Sequence, residues 1–169
     1  MDKLSHKALT EQEQAIEDFV TQECKTAYTV NFTGTQKRDK WECDGWRFTL
    51  AGQEFEYYTG TGNRVDNAEA KFQRKHLAKT NRNSVAWHEG VIKNQVAVIP
   101  AIAGLLYCVI SDMDAVAQSF DDWCVELDYD TDSRKALDTY LACQEDATKL
   151  RKVFNQEQIG KLQELLQDY

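Results

Sequence analysis

The sequence predicts an α+β fold with an N-terminal helix, an antiparallel β-meander of about four strands and an α-helical C-terminal half. Apolar residues recur at helical spacing in residues 10–25 and alternate with polar residues in residues 27–58. From residue 100 onwards they return to helical spacing. A chain of 169 residues is long enough to form one globular unit around its own core.

The N-terminal helix is predicted from its first turn and its apolar stripe. Thr10 and Glu13 have the spacing of a capping box, in which the hydroxyl accepts a backbone N–H and the carboxylate reaches back to the cap. Ile16, Phe19 and Val20 follow at helical spacing. The pattern therefore predicts an amphipathic helix directly before the strands.

The meander is predicted from short segments in which apolar and polar residues alternate. The four segments are residues 28–33, 41–43, 46–50 and 54–58. Asp44-Gly45 predicts a two-residue hairpin turn, because a type I′ turn needs positive φ angles. Residues 51–53 predict a second turn. One face of the meander is strongly aromatic, so a helix has to cover it.

Residues 61–97 interrupt this pattern and are interpreted as a basic flap or insertion. The region divides residues 1–60, the helix and meander, from residues 98–169, the helical half. Residues 63–95 hold seven Lys or Arg and three acidic residues, a balance of +4. Residues 66–79 can be drawn as a helix, but few apolar residues would lie on its buried face. The cations that could contact a partner are Arg64, Lys71, Arg74, Lys75, Lys79 and Arg82.

Four further helices are predicted from caps and apolar stripes. Pro100 begins the first, since proline at the first helical position loses no needed hydrogen bond. Ser119 caps a short second helix, Thr131 or Asp132 caps a long third one, and Asn155 caps the last.

The helical half carries most of the acidic charge of the chain, whose net charge is −8. Residues 112–146 contain eleven acidic and two basic residues, a balance of −9. Concentrated carboxylates repel each other unless a basic partner offsets them. Candidate partner-binding residues are Asp112, Asp114, Asp121, Asp122, Asp128 and Asp130. The alternative, that these acids only cap helices and solubilise the chain, stays open.

No sequence motif indicates catalysis, a metal or a cofactor. His88-Glu89 begins a zinc-hydrolase pattern, but Ile92 stands where the second histidine is required. Residues 128–139 lack the glycine and the final glutamate of a calcium loop. We therefore expect no catalytic residue, no metal and no cofactor. An active site assembled only by the fold remains an alternative.

The cysteines and the apolar runs indicate the compartment. The five cysteines are scattered and odd in number, so we expect reduced thiols, with Cys108 and Cys143 as small core residues. The N-terminal stretch lacks an apolar signal region, and Pro100 and Gly104 break the longest apolar run. The expected protein is cytoplasmic, without membrane contact, and a monomer or homodimer.

Three segments carry a resemblance to a known family. They read F-D-D-W-C (120–124), Y-D-T-D-S-R-K-A (129–136) and Y-L-A-C-Q (140–144), and an upstream strand end reads Y-Y-T-G-x-G-x-R (57–64). Together they cover about the C-terminal third and one strand. This pattern resembles a family of small proteins of tailed bacteriophages and prophages. The resemblance implies a phage origin. That family has no settled activity, so no catalytic role can be carried over to this chain.

Two functions are consistent with these observations. The first is a non-catalytic phage protein that binds and inhibits a defence complex in the infected bacterium, of the anti-CRISPR or anti-restriction type, through an acidic surface that mimics nucleic acid. The second is a phage DNA-metabolism accessory protein. It would bind single-stranded nucleic acid through the basic flap and through exposed aromatic residues of the meander, namely Trp41, Trp46, Tyr57 or Tyr58.

Overall fold

The computed structural model describes residues 3–6, 8–38, 41–60, 72–73, 85–88 and 96–169. The strands are β1 (Lys3–His6), β2 (Tyr28–Arg38), β3 (Trp41–Leu50), β4 (Gln53–Gly60), β5 (Phe72–Gln73), β6 (Val85–His88) and β7 (Val96–Ile99). The helices are α1 (Glu11–Asp18), α2 (Ile102–Ala115), α3 (Phe120–Leu127), α4 (Arg134–Val153) and α5 (Gln156–Leu165). The predicted α+β class is confirmed.

The meander consists of the three strands β2, β3 and β4, one fewer than expected. The expected turn at Asp44-Gly45 is wrong, because both residues lie inside β3 and pair with β2 on one side and β4 on the other. The continuous ladders on both edges override the local turn signal. The second expected turn is confirmed. Ala51 and Gly52 join β3 to β4 with φ angles of 46° and 84°, the sign that a type I′ turn requires.

Two short strands from the expected flap extend the meander into a five-stranded sheet of order β5-β4-β3-β2-β6. Phe72 pairs with Thr59 in β4, so the helix drawn over residues 66–79 is wrong at Phe72–Gln73. On the other edge, β6 pairs with residues 35–38 of β2. These pairings depend on distant residues, so local sequence periodicity could not reveal them.

Most helix starts follow the expected caps. Thr10 and Glu13 form a capping box at α1, Ser119 caps α3, and Asn155 caps α5. Two starts differ by a few residues. Ala101 rather than Pro100 precedes α2, and Ser133 rather than Thr131 or Asp132 caps α4. The second difference arises because the Asp130 side chain accepts the Asp132 N–H at 2.9 Å, which holds Asp132 in a turn.

Residues near both ends of the described chain pair with distant parts of the sequence. Residues 3–6 form β1, which pairs in parallel with β7 in a separate two-stranded sheet. At the other end, the Tyr169 hydroxyl donates a 2.8 Å hydrogen bond to Oε2 of the buried Glu13, and Gln12 donates to the carbonyl of Leu165 at 2.9 Å. The N-terminal helix is therefore joined to the end of the chain.

The core lies between the aromatic face of the meander and the helices. Trp46, Phe48 and Phe55 are at most 1% exposed and belong to the same cluster as the apolar stripes of α1, α2 and α4. The Trp46 indole donates to the Thr59 hydroxyl at 2.8 Å, so its polar edge is satisfied inside the core. Cys108 and Cys143 are buried in this cluster, which confirms their expected core position.

A second aromatic cluster joins α3 to α4. Trp123 is 1% exposed, and its ring stacks on Tyr129 with centroids 5.0 Å apart. Tyr140 contacts Trp123 edge-on at 5.4 Å, and its hydroxyl donates to the Gln118 carbonyl at 2.7 Å. The position of the short helix α3 therefore depends on one buried indole.

Truncating Trp123 should destabilise the protein strongly. We expect Trp123→Ala to lower the free energy of unfolding by about 3–5 kcal/mol, because a large buried aromatic loses its contacts and leaves a cavity. Val125→Ala is the matched control, since Val125 lies on the same helix and is 79% exposed. Chemical denaturation monitored by far-UV circular dichroism measures both. Equal stability of the two variants would contradict the buried position of Trp123.

Candidate partner-binding site

The acidic corner is a surface segment in which acidic residues are concentrated without any basic residue. We define it as the six acidic residues within residues 121–133, a segment that contains no Lys or Arg. Its members are Asp121, Asp122, Glu126, Asp128, Asp130 and Asp132, and all six side chains are exposed. They occupy α3 and the loop between α3 and α4.

Three of these acids have a local structural role. Asp121 and Asp122 lie in the first turn of α3, where the helix dipole favours negative charge. Asp130 accepts the N–H of Asp132 and shapes the loop before α4. A local structural role is therefore enough to explain why these three positions are acidic.

Asp128, in contrast, has a backbone conformation and a charge position that are both unfavourable at the end of α3. It ends α3 in a left-handed conformation with φ 59° and ψ 46°, a position where glycine is preferred because it has no Cβ. Its carboxylate also lies at the negative end of the helix dipole, which disfavours an anion. Asp128 is therefore less favourable for stability at this position than an uncharged glycine would be.

The corner carboxylates are not neutralised by neighbouring cations within the described residues. Arg134 begins α4 directly after the loop, but its guanidinium pairs with Asp138 at 3.3 Å. None of the six corner carboxylates forms an ion pair with a described residue. Among the described residues, the six exposed corner carboxylates therefore have no cationic partner.

The buried thiol of Cys124 on α3 lies within the electrostatic influence of the corner. Burial raises the pKa of the Cys124 thiol, and the carboxylates of Asp121 and Asp130 raise it further. The stacking of Tyr129 on Trp123 brings the loop back along the helix.

Two of the six predicted acidic residues do not join the corner. Asp112 is 1% exposed, and the hydroxyl of Tyr57 donates to its Oδ2 at 3.0 Å. Its assignment to an exposed face is corrected, because its helix position faces the core. Asp114 is exposed, but its hydrogen-bonding neighbour is Gln163 of α5 at 3.5 Å. The predicted flap cations lie outside the described residues: Arg64, Lys71, Arg74, Lys75, Lys79 and Arg82.

A buried polar cluster surrounds Tyr57, and sequence reasoning missed it. Burial raises the pKa of the Tyr57 hydroxyl well above its ordinary value, and Asp112 and Asp146 raise it further. The hydroxyl therefore stays protonated and donates to Asp112. The sequence does contain a signal for this cluster. Asp112 lies on the apolar stripe of α2 and Asp146 on that of α4, so folding has to bury both carboxyl groups.

Three of the four aromatic residues that the nucleic-acid hypothesis names are buried in the structure. Trp46, Tyr57 and Tyr58 are 1%, 0% and 6% exposed. Bases cannot stack on rings that the core already covers. The expectation that these three residues are exposed for nucleic-acid binding is therefore wrong, and the side chain of Trp41 lies outside the described residues.

No helix in the described part of the chain is long and apolar enough to cross a membrane. The same residues contain no group of three His, Cys, Asp or Glu side chains placed to hold a metal ion. No family model, curated protein or solved structure matches the chain.

Replacing Asp128 should stabilise the protein. Asp128→Gly relieves the left-handed backbone and removes the charge from the helix end, so we expect about 0.5–1 kcal/mol more unfolding free energy. Asp128→Asn removes only the charge and should give a smaller gain of about 0.3–0.5 kcal/mol. Thermal and chemical denaturation at low ionic strength measure both. A loss of stability in either variant would show that Asp128 supports the fold.

Removing the Tyr57 hydroxyl should weaken the core. Tyr57→Phe deprives the buried carboxylate of Asp112 of one hydrogen-bond donor, and we expect a loss of about 1–3 kcal/mol in unfolding free energy. The double variant with Asp112→Asn isolates the pair, because a real interaction appears as a non-additive coupling of at least about 0.5 kcal/mol. Strictly additive losses would contradict it.

Proposed function

We propose that this chain is a non-catalytic phage protein that binds a basic surface on a bacterial defence complex through the acidic corner. It acts in the cytoplasm of the infected bacterium and inhibits a complex of the CRISPR or restriction type. The phage context rests on the sequence resemblance. The mode of binding rests on one observation, which is the set of exposed carboxylates without cationic neighbours within the described residues.

The position of Asp128 adds to the support for a binding role. Residues that oppose local stability concentrate at functional sites, because selection retains them for another reason. Asp128 combines an unfavourable backbone conformation with an unfavourable charge position. A cationic partner would reverse the second effect, since it would offset the repulsion between Asp128 and the negative end of α3.

The spacing of the charges suits a nucleic-acid-binding groove. A helix rises about 1.5 Å per residue, so Asp121 and Asp128 stand about 10 Å apart along α3. Lys and Arg side chains that hold several consecutive phosphates present positive charge over comparable lengths. The six carboxylates of the corner can occupy such a groove in place of phosphates.

The alternative function, binding of single-stranded nucleic acid, has less support. Its aromatic platform would need Trp46, Tyr57 or Tyr58 at the surface, and all three are buried. The acidic corner would also repel a phosphate chain. Inhibition of a protein complex is therefore the better supported function.

The test compares two variants with the same change of net charge. The corner variant combines Asp121→Asn, Asp122→Asn, Asp128→Asn and Asp130→Asn. The control variant combines glutamine substitutions at four exposed glutamates away from the corner, namely Glu11, Glu23, Glu157 and Glu164. Each protein is expressed in bacteria that carry a CRISPR or a restriction system, and the plating efficiency of a targeted phage is measured.

We expect the parent and the control variant to raise the plating efficiency of the phage. The increase produced by the corner variant should be at least tenfold smaller. Melting curves should show that all three proteins are folded. The parent should also ignore free DNA in a gel-shift assay. Equal protection by the corner variant, or salt-dependent binding of the parent to free single-stranded DNA, would contradict the proposal.

A further inference from the structure

Two leucines on α4 face away from the core. Leu137 and Leu141 are 36% and 51% exposed, and because they are one helical turn apart they lie on the same side of the helix. The opposite side of α4 packs on α2, α3 and β4 and buries residues such as Cys143 and Leu150. The two leucines therefore form a small apolar area at the surface.

Charged residues extend this apolar area towards both ends of the helix. Arg134, Glu145 and Lys152 are exposed and have the helical spacing that places them on the same side as the leucines. We call these three residues and the two leucines the outer face of α4. Beside the leucines, Arg134 pairs with Asp138 at 3.3 Å and Glu145 with Lys149 at 3.7 Å. These two ion pairs leave the middle of the outer face without net charge.

The two ends of the outer face adjoin charges of opposite sign. The loop that leads into α4 holds the exposed residues Asp130 and Asp132, and the last turn of the helix holds the exposed residues Arg151 and Lys152. A surface with this polarity is complementary to a reversed copy of itself, whereas two copies in the same direction bring like charges together. The charges therefore favour an antiparallel arrangement of two such faces.

We propose that two copies of this chain bind each other through the outer face of α4, with the two helices antiparallel. A two-fold axis passes midway between Leu137 and Leu141, so that Leu137 of each copy packs against Leu141 of the other. Such an interface is isologous, because both copies contribute the same residues. Of the two states expected from the sequence, monomer and homodimer, the outer face supports the homodimer.

The same axis brings opposite charges together on both sides of the leucines. Arg134 and Glu145 lie at nearly equal distances from it, so each arginine meets the glutamate of the other copy. Lys152 lies farther out, and its side chain leans back towards the start of its helix. It therefore reaches the loop of the second copy at Asp132. A second copy supplies this order of charges by symmetry, whereas a helix of an unrelated protein would have to match it independently.

The outer face is small, so the dimer should be weak. The helix α4 has 20 residues and is therefore about 30 Å long. A strip of that length and about 10 Å wide covers about 300 Å² per copy, whereas a standard interface covers about 800 Å² per partner. We therefore expect a reversible equilibrium between monomer and dimer, which weakens at high salt because surface charges are screened.

The first test measures the dissociation constant of the dimer by sedimentation equilibrium at low ionic strength. We expect the parent to dimerise reversibly between about 10 and 500 μM, the range of weak complexes. Leu141→Ser should raise the dissociation constant at least tenfold. Leu9→Ser is the control and should leave it unchanged, since Leu9 is 39% exposed and lies before α1. A parent that stays monomeric at the highest concentration, or equal constants for the parent and Leu141→Ser, would overturn the proposal.

The second test exchanges the charges of one proposed ion pair. Lys152→Glu and Asp132→Lys should each weaken dimerisation at least tenfold, because like charges then face each other across the interface. A mixture of the two variants should form a heterodimer with the affinity of the parent, since each altered residue there meets an opposite charge. Lys161→Glu, the control on α5, should dimerise like the parent. Undiminished dimerisation of either single variant, or a mixture that dimerises no better than its components, contradicts the antiparallel interface.

Sedimentation separates this proposal from the proposed function, because the measurement requires no defence complex. Failure of the phage-protection test leaves the expected dimer unchanged. A monomeric parent overturns the dimer and leaves the expected effect of the corner variant on phage plating unchanged.

Discussion

The aromatic face of the three-stranded meander is the constraint on which the structure depends. Trp46, Phe48 and Phe55 project from neighbouring strands to one side, and apolar area of this kind is stable only when it is removed from water. The stripes of α1, α2 and α4 provide the cover. The chain ends follow the same requirement, since the Tyr169–Glu13 hydrogen bond holds the last residues against the N-terminal helix.

The helices that cover the sheet also bury polar groups. Hydrogen bonds between these groups restrict how the helices can pack on the sheet. Tyr57 lies on β4 and Asp112 on α2, and their 3.0 Å hydrogen bond is made inside the core. A buried donor or acceptor without a partner is costly, so such a pair permits fewer alternative packings than apolar contacts alone. The inner face of α4 contributes Asp146 to the same cluster and, further along, Tyr140 to the aromatic contacts of α3.

This arrangement connects the core to the proposed binding surface. Trp123 fixes α3 on α4, and Tyr129 fixes the loop on Trp123. Carboxylates attached to such a rigid base lose little conformational freedom when a partner binds. The acidic corner is therefore preorganised by buried aromatic rings rather than by ion pairs among the described residues.

The sequence by itself determined those features that depend on neighbours a few residues apart. The capping boxes at Thr10 and Asn155, the cap at Ser119 and the positive-φ turn at Ala51-Gly52 each arise from local hydrogen bonds or local sterics. Burial of Trp123, Cys108 and Cys143 also followed from helical spacing. For the candidate site, the sequence supplied the acidic segment and its net charge, because charge is a property of composition.

Only the tertiary structure decided the features that depend on residues far apart in the chain. Asp44-Gly45 has the composition of a turn, yet pairing with β2 and β4 on both sides keeps it extended. In the sequence, Asp112 cannot be distinguished from the other acidic residues of its region. In the structure, its position on α2 lets it accept a hydrogen bond from Tyr57, 55 residues away. The left-handed conformation of Asp128 at the end of α3 likewise becomes visible only in the backbone of the folded chain. Long-range pairing and burial stabilise a residue more than its local propensity does, so they overrule the local pattern where the two conflict.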